Sequence, residues 1–133
     1  MNRFKKNLTK NIVITGGENY SLSIGDSVVS FDGSLVGVIS EVFDTTSYVE
    51  LFIKDGVSSL GILFPQDFSI SMIGNGNSLV SEISRDVDVS IDDLVYSQDT
   101  PGLLIGIVSY IDFDPRDPFK KVFIKPMNDI QSL

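Results

Sequence analysis

The chain contains no cysteine, no histidine and no tryptophan. Without thiolates or imidazoles it lacks the side chains of the common zinc sites, has no cysteine nucleophile, and cannot assemble a Ser-His-Asp arrangement. The missing thiol leaves the redox compartment open and is compatible with an oxidising space outside the cytoplasm. Long apolar runs are missing as well. Hydrophobic residues make up 42% of the 133, yet no run approaches the roughly 20 residues of a membrane-spanning helix. Residues 1–10 are basic with no apolar stretch behind them, so they are not expected to act as a secretory leader.

Basic charge is scarce beyond that start. Arg3, Lys5, Lys6 and Lys10 are four of the ten basic residues, so the remainder sets six against all eighteen acidic ones, and the whole chain carries a net charge of −8. An acidic body repels phosphate backbones, and no nucleic-acid partner is expected. The basic start reads as a solvated terminal segment, with a stretch lying near an anionic membrane surface as the sharper alternative.

What is present is a repeat. Ser23–Val42 reads SIGDSVVSFDGSLVGVISEV and Ser90–Ile111 reads SIDDLVYSQDTPGLLIGIVSYI. Allowing the second copy two extra residues, Thr100 and Pro101, aligns Asp26 with Asp93, Val28 with Val95, Asp32 with Asp99, Gly33 with Gly102 and Gly37 with Gly106. Each copy is an acidic turn, a short apolar strand, a polar Asp/Gly break and a longer apolar strand holding one glycine, which is a β-hairpin written in sequence.

Almost every other apolar segment also carries strand signals, Tyr48–Ile53 and Phe68–Ile73 alternating with a period of two, and none holds a 3.6-residue period long enough for a helix. Strands are expected at Asn11–Thr15, Ser27–Phe31, Leu35–Phe43, Tyr48–Ile53, Ser58–Phe64, Phe68–Ile73, Leu79–Ile83, Val87–Ile91 and Phe119–Lys125. The fold class that follows is all-β, two small β-barrel or sandwich subdomains related by internal duplication, with essentially no helix. The Gly74-Asn75-Gly76-Asn77 cluster marks the expected division, giving subdomains 1–76 and 77–133, with sharing of terminal strands left open.

The repeated residues have structural roles. Gly25 allows a tight turn with positive φ, and Asp26 and Asp93 can accept hydrogen bonds from turn N–H groups. Gly33 and Gly102 sit in the hairpin breaks. Gly37 and Gly106 interrupt apolar strands, where a glycine marks a bulge, a barrel corner or the close approach of another backbone. Asp92 stands where the first copy has Gly25, a substitution tolerable because Asp enters the left-handed region more readily than most residues.

The reactive side chains form no convincing site. Asp112, Asp114 and Asp117 look like a fragment of a calcium loop, but the loop's glycine and bidentate glutamate are missing, so a solvated acidic turn is favoured and no metal is expected. Asp86, Asp88, Asp92 and Asp93 are likewise read as solvated. Gly74 and Gly76 make a Gly-x-Gly with no helix after it to receive a phosphate, so no nucleotide cofactor is expected. Ser71-Met72 followed far downstream by Lys120-Lys121 is similar in order to the signal-peptidase family, in which a neutral lysine activates a serine. Ile73-Gly74 stands where that family has a proline-containing loop, and the two adjacent lysines are expected to be solvated. The chain is therefore not expected to be an enzyme, and no catalytic residue is assigned.

The ordered motifs resemble the rod shape-determining protein C family, MreC. Gly25-Asp26-Ser27-Val28, Leu35-Val36-Gly37 and Ser47-Tyr48-Val49-Glu50-Leu51 are similar to a succession in that family. Ser59–Leu63 is similar to its Gly-Ile-Leu strand. The second copy and the closing stretch from Pro118 to Leu133, with Pro126, Asp129 and Leu133, are similar to its later blocks. Asp92 in place of a glycine, and the absence of Thr-Ser-Gly and Phe-Pro elements between Ser97 and Leu104, mark a divergent member. The resemblance implies two small β-barrels on the extracytoplasmic side of the cytoplasmic membrane, anchored through a helix and coiled coil that this sequence does not contain. It also implies a non-enzymatic scaffold that self-associates as a dimer or filament and contacts a class B penicillin-binding protein and rod-complex membrane proteins. Phe64 and Phe68 around Pro65, and Tyr110 with Phe113, are the candidate surface anchors, weighed against packing in the core. The alternative reading is a β-barrel module of a periplasmic adaptor from a secretion or efflux system, which shares Gly-Asp turns but is inserted beside lipoyl-like or helical segments.

Overall fold

The computed structural model describes residues 11–127; the basic start and the closing Asp129–Leu133 block lie outside them. Ten strands and one 3₁₀ turn, Glu18–Tyr20, make up the regular structure. The strands are β1 (Asn11–Thr15), β2 (Ser27–Val29), β3 (Leu35–Val42), β4 (Thr46–Leu51), β5 (Ser58–Phe64), β6 (Phe68–Gly74), β7 (Leu79–Ser84), β8 (Leu94–Ser97), β9 (Leu104–Asp112) and β10 (Phe119–Pro126).

Alternation places the side chains. On β4, Ser47, Val49 and Leu51 are buried while Tyr48 is exposed. On β6, Ile70 and Met72 point inward and Ser69, Ser71 and Ile73 outward. Successive strand residues face opposite sides of a sheet, so such a sequence is stable only with one face covered. Four strands pair antiparallel in the order β1-β4-β3-β2, and six close into a barrel in the order β10-β7-β6-β5-β8-β9.

Both layers share one core. Ile12, Leu35, Val49 and Leu51 of the open sheet belong to the same buried cluster as Leu63, Met72, Leu79, Val95, Val108 and Ile124 of the barrel. Each such side chain contributes about 1.5–3 kcal/mol on burial. Ile53 continues the buried face of β4 beyond the strand, and its carbonyl accepts the Gly76 N–H at 2.7 Å. The core and the backbone are therefore continuous through the junction.

Three expectations are corrected. The chain changes sheet between Leu51 and Ser58, not at Gly76, because β5 pairs with both β6 and β8. The Gly/Asn cluster is instead the β6–β7 turn, where the Asn75 Oδ1 accepts the N–H groups of Asn77 and Ser78 at 3.0 and 2.8 Å. Glycine and asparagine signal a tight turn, and a hairpin within a sheet requires one as much as a linker does. Val87–Ile91 is not a strand; it is an irregular connection that buries Val89 alone of its side chains. Among the described residues, the first unit is an open four-stranded sheet rather than a barrel.

Candidate interaction surfaces

The repeated sequence folds into repeated geometry. Gly25 has φ +93° and Asp92 φ +75°, so both occupy the left-handed region. The following carboxylates act alike: Asp26 Oδ2 accepts the Ser23 N–H at 2.9 Å, and Asp93 Oδ2 accepts the Ser90 N–H at 2.8 Å. Each turn is then tied to the longer strand by two backbone bonds. Gly25 N–H reaches the Ile39 carbonyl and Ile39 N–H the Asp26 carbonyl, at 2.8 and 2.9 Å; Asp92 and Asp93 make the same pair with Val108, at 2.9 and 2.8 Å. Gly33 and Gly102 both have φ +88° in the hairpin breaks.

The strand glycines share another role. A Cβ on Gly37 would overlap the Glu50 carbonyl oxygen, and one on Gly106 would overlap that of Lys125. Each glycine thus lets the neighbouring strand, β4 or β10, approach closely. A register shift follows in each pair, between Ile39 and Glu41 and opposite Phe123–Ile124. The bulged serines, Ser40 and Ser109, donate their hydroxyls to the Tyr48 and Phe123 carbonyls at 3.3 and 3.2 Å. One of the two residues inserted in the second copy has its own contact: Thr100 Oγ1 lies 3.0 Å from Ser27 Oγ of the first unit.

The four aromatic anchors are all partly open to solvent. Phe64, Phe68, Tyr110 and Phe113 are 51%, 40%, 58% and 47% exposed. Phe64 packs edge-on against Tyr96 with ring centroids 6.0 Å apart, Tyr110 lies 5.7 Å from Phe123, and the Phe113 ring faces the Lys120 ammonium at 5.6 Å. Two groups are therefore separate, on β5–β8 and on β9–β10. Around Phe64 the outward positions of β5 extend it into a row with Leu60 and Ile62, and Tyr96 stands opposite Ile62 in the register. That apolar stripe lies on the outside of a closed barrel, where burial against the core is not available.

Leu60, Ile62 and Phe31 were not singled out from sequence. Leu60 and Ile62 read as ordinary strand residues, and only barrel closure reveals which of the two faces is outside. Phe31 is fully exposed at the β2–β3 turn. Its signal was its place just before Asp32-Gly33, where Asp32 Oδ1 accepts from Ser34 N–H, Ser34 Oγ and Ser30 Oγ and ends the strand early.

No catalytic set emerges among the described residues. Ser71 is exposed on the outer face of β6, and no hydrogen bond joins its hydroxyl to either lysine. The lysine pair is not uniformly solvated: Lys121 is exposed, whereas Lys120 faces the barrel interior and is 9% exposed. Asp86, Asp88 and Asp92 are exposed, and Asp93 is half-buried. In the β9–β10 loop the Arg116 guanidinium, and to a lesser extent its backbone N–H, hold the Asp114 carboxyl below its ordinary value. Among the described residues no group of three carboxylates is placed to hold a metal ion.

Comparisons place this architecture among known proteins. A family model described as "Rod shape-determining protein MreC, barrel core" matches residues 1–133. A solved structure described as MreC superposes with a TM-score of 0.87 at 23% identity, covering 97% of this chain and 78% of that one. The crystal structure of MreC from Pseudomonas aeruginosa gives 0.79 at 23% identity, covering 95% and 90%. The structure of the major periplasmic domain from the cell shape-determining filament MreC, in its orthorhombic form, gives 0.70 at 18% identity, covering 97% and 84%. At these identities the structural likeness is one of fold. No curated protein matches the chain.

Proposed function

Because the chain belongs to the MreC family of rod shape-determining proteins, we propose that it acts as a non-enzymatic scaffold on the extracytoplasmic side of the cytoplasmic membrane. In this role it associates with itself and organises peptidoglycan-synthesis enzymes, a class B penicillin-binding protein among them, together with rod-complex membrane proteins. The observation that carries the reading is the apolar stripe Leu60, Ile62, Phe64 and Tyr96 on the outside of the barrel, in a chain whose described residues assemble no catalytic group. A folded barrel gains nothing from such a row, and a protein partner covering it would. A periplasmic domain from a cell shape-determining filament is among the structures that share this fold, and that likeness supports the compartment and the self-association.

The test is mild crosslinking of the native full-length protein in membranes, with its neighbours identified by mass spectrometry, for the wild type and for Leu60→Asp/Phe64→Asp. Recovery of a class B penicillin-binding protein that the double variant loses, with the fold intact by circular dichroism, supports the scaffold and its stripe. A transporter and an outer-membrane channel without wall enzymes would sink the scaffold in favour of the adaptor. Unchanged recovery by the double variant would move the contact elsewhere.

A further inference from the structure

The interior face of β10 carries Lys120, Val122 and Ile124, and the two apolar residues are fully buried. Lys120, 9% exposed, therefore runs its aliphatic stem along the barrel core and ends with Nζ 5.6 Å from the centre of the Phe113 ring. A ring face attracts a cation but accepts none of its N–H groups as a carboxylate would. Among the described residues the ion pairs are Lys54–Glu50 and Arg116–Asp114, so Lys120 has no carboxylate partner there. The stem is buried and the ammonium reaches the rim, where its N–H groups are open to an acceptor that a ligand could supply.

Lys120 lines a concavity of about 400 Å³ beside the start of β10, together with Glu82, Asp112, Asp114, Asp117 and Lys121. Sites for small ligands are roughly 300–1,000 Å³. Asp114 is occupied by Arg116 at 2.7 Å. Among the described residues Asp112, Asp117 and Glu82 have no cationic partner within ion-pair distance, although Lys121 stands opposite both Glu82 and Asp112 in the sheet register. The concavity thus has two poles, the ammonium of a lysine whose stem is buried and a rim of carboxylates. A simple anion would meet the rim's repulsion, and a simple cation would leave Lys120 unmatched.

We propose that this concavity binds a small zwitterionic peptide, with its carboxylate on the Lys120 ammonium and its amino groups among Asp112, Asp117 and Glu82. The site is independent of the apolar stripe, and stands or falls apart from the scaffold reading. The probe is the tripeptide Lys-Ala-Ala with free ends, titrated into the full chain and followed by calorimetry and amide NMR shifts. Controls are its C-terminal amide and its doubly N-acetylated form. Saturable binding with shifts at Phe113, Lys120 and Asp117 is expected, weakened about tenfold or more by either blocking group, the effect of one charge-assisted hydrogen bond. Lys120→Met, which keeps the apolar stem, is expected to bind the free acid and the amide alike. Equal binding of the acid and amide by the wild type would overturn the Lys120 pole and leave an acidic rim for cationic peptides. No saturable shift at millimolar peptide would overturn the site and leave Lys120 as a side chain reaching solvent. The acid-against-amide comparison needs no variant, so it decides even where Lys120→Met lowers stability.

Discussion

The order β1-β4-β3-β2 recurs in the second unit as β7-β10-β9-β8, yet among the described residues only the second is a closed barrel. The difference is the β5–β6 hairpin, which joins β8 on one side and β7 on the other. Its effect is visible at one repeated residue. Val95 is fully buried with Leu63 opposite it on β5, whereas its equivalent Val28, on the outer strand of the open sheet, is only half-buried. The hairpin is also fastened to the repeated turn: Gln66 Nε2 donates to the Asp88 carbonyl and to Asp93 Oδ2, both at 2.6 Å. Closure is therefore a property of what is added to the repeat and not of the repeat itself. The same motif serves as the wall of a barrel or as one half of a covered sheet.

Core truncation tests that contrast most strongly. Leu63→Ala is expected to cost about 2–5 kcal/mol, and Val28→Ala about 1 kcal/mol or less, because a cavity term arises only where the site is enclosed. Urea denaturation midpoints measure both, and equal costs would break the comparison. The shared close approach predicts agreement between the units: Gly37→Ala and Gly106→Ala should each destabilise by about 1–3 kcal/mol, since the added carbon meets a backbone carbonyl that cannot rotate away. A large disagreement would mean that the open sheet yields where the barrel does not.

Exchanging the turn residues should have a smaller, opposite effect. Gly25→Asp is expected to cost about 1 kcal/mol, and Asp92→Gly to change stability by less than that or to raise it, because only the former forces a side chain into the left-handed region. Thermal melts of both variants sharpen the equivalence of the two turns. The smallest effect belongs to the β9–β10 loop. Arg116 lowers the Asp114 pKa from its ordinary 3.8, so the pair is intact above that value and is lost as the pH falls through the lowered one. The Arg116 side-chain N–H signals should broaden or shift only in acid, and in Asp114→Asn the dependence should vanish. The β3–β4 turn has no such pair among its residues and should show no matching transition.

Much of the fold was legible in the sequence. The run Ser58–Phe64 is the strand of the extent expected, and the Val49, Leu51, Ile53 face is buried throughout. Val87–Ile91 misled because Val87, Val89 and Ile91 alternate in sequence, while Asp88, Asp92 and the turn at Asp92–Asp93 take the backbone away from any neighbouring strand. Lys120 also misled. A lysine beside another in an acidic protein reads as solvated, but its position two residues before Val122 sets it on the inward face, where the stem is buried and only the ammonium reaches the rim. The anchors Phe64 and Tyr110 could be named as large side chains, whereas Leu60 and Phe31 became distinct only once the outer face and the turn were fixed.

By itself the sequence determined that this chain would be built of strands, that one hairpin plan would appear twice, and that thiol and imidazole chemistry would have no place. Those properties are local: period-two alternation sets which side chains share a face, and Asp and Gly set where the backbone turns. The tertiary structure alone decided where the chain changes sheet, that among the described residues the second unit closes while the first stays open, and which apolar face becomes an exterior. The reason is that strand pairing joins residues far apart in sequence through backbone groups that are alike at every position, so no local pattern names the partner.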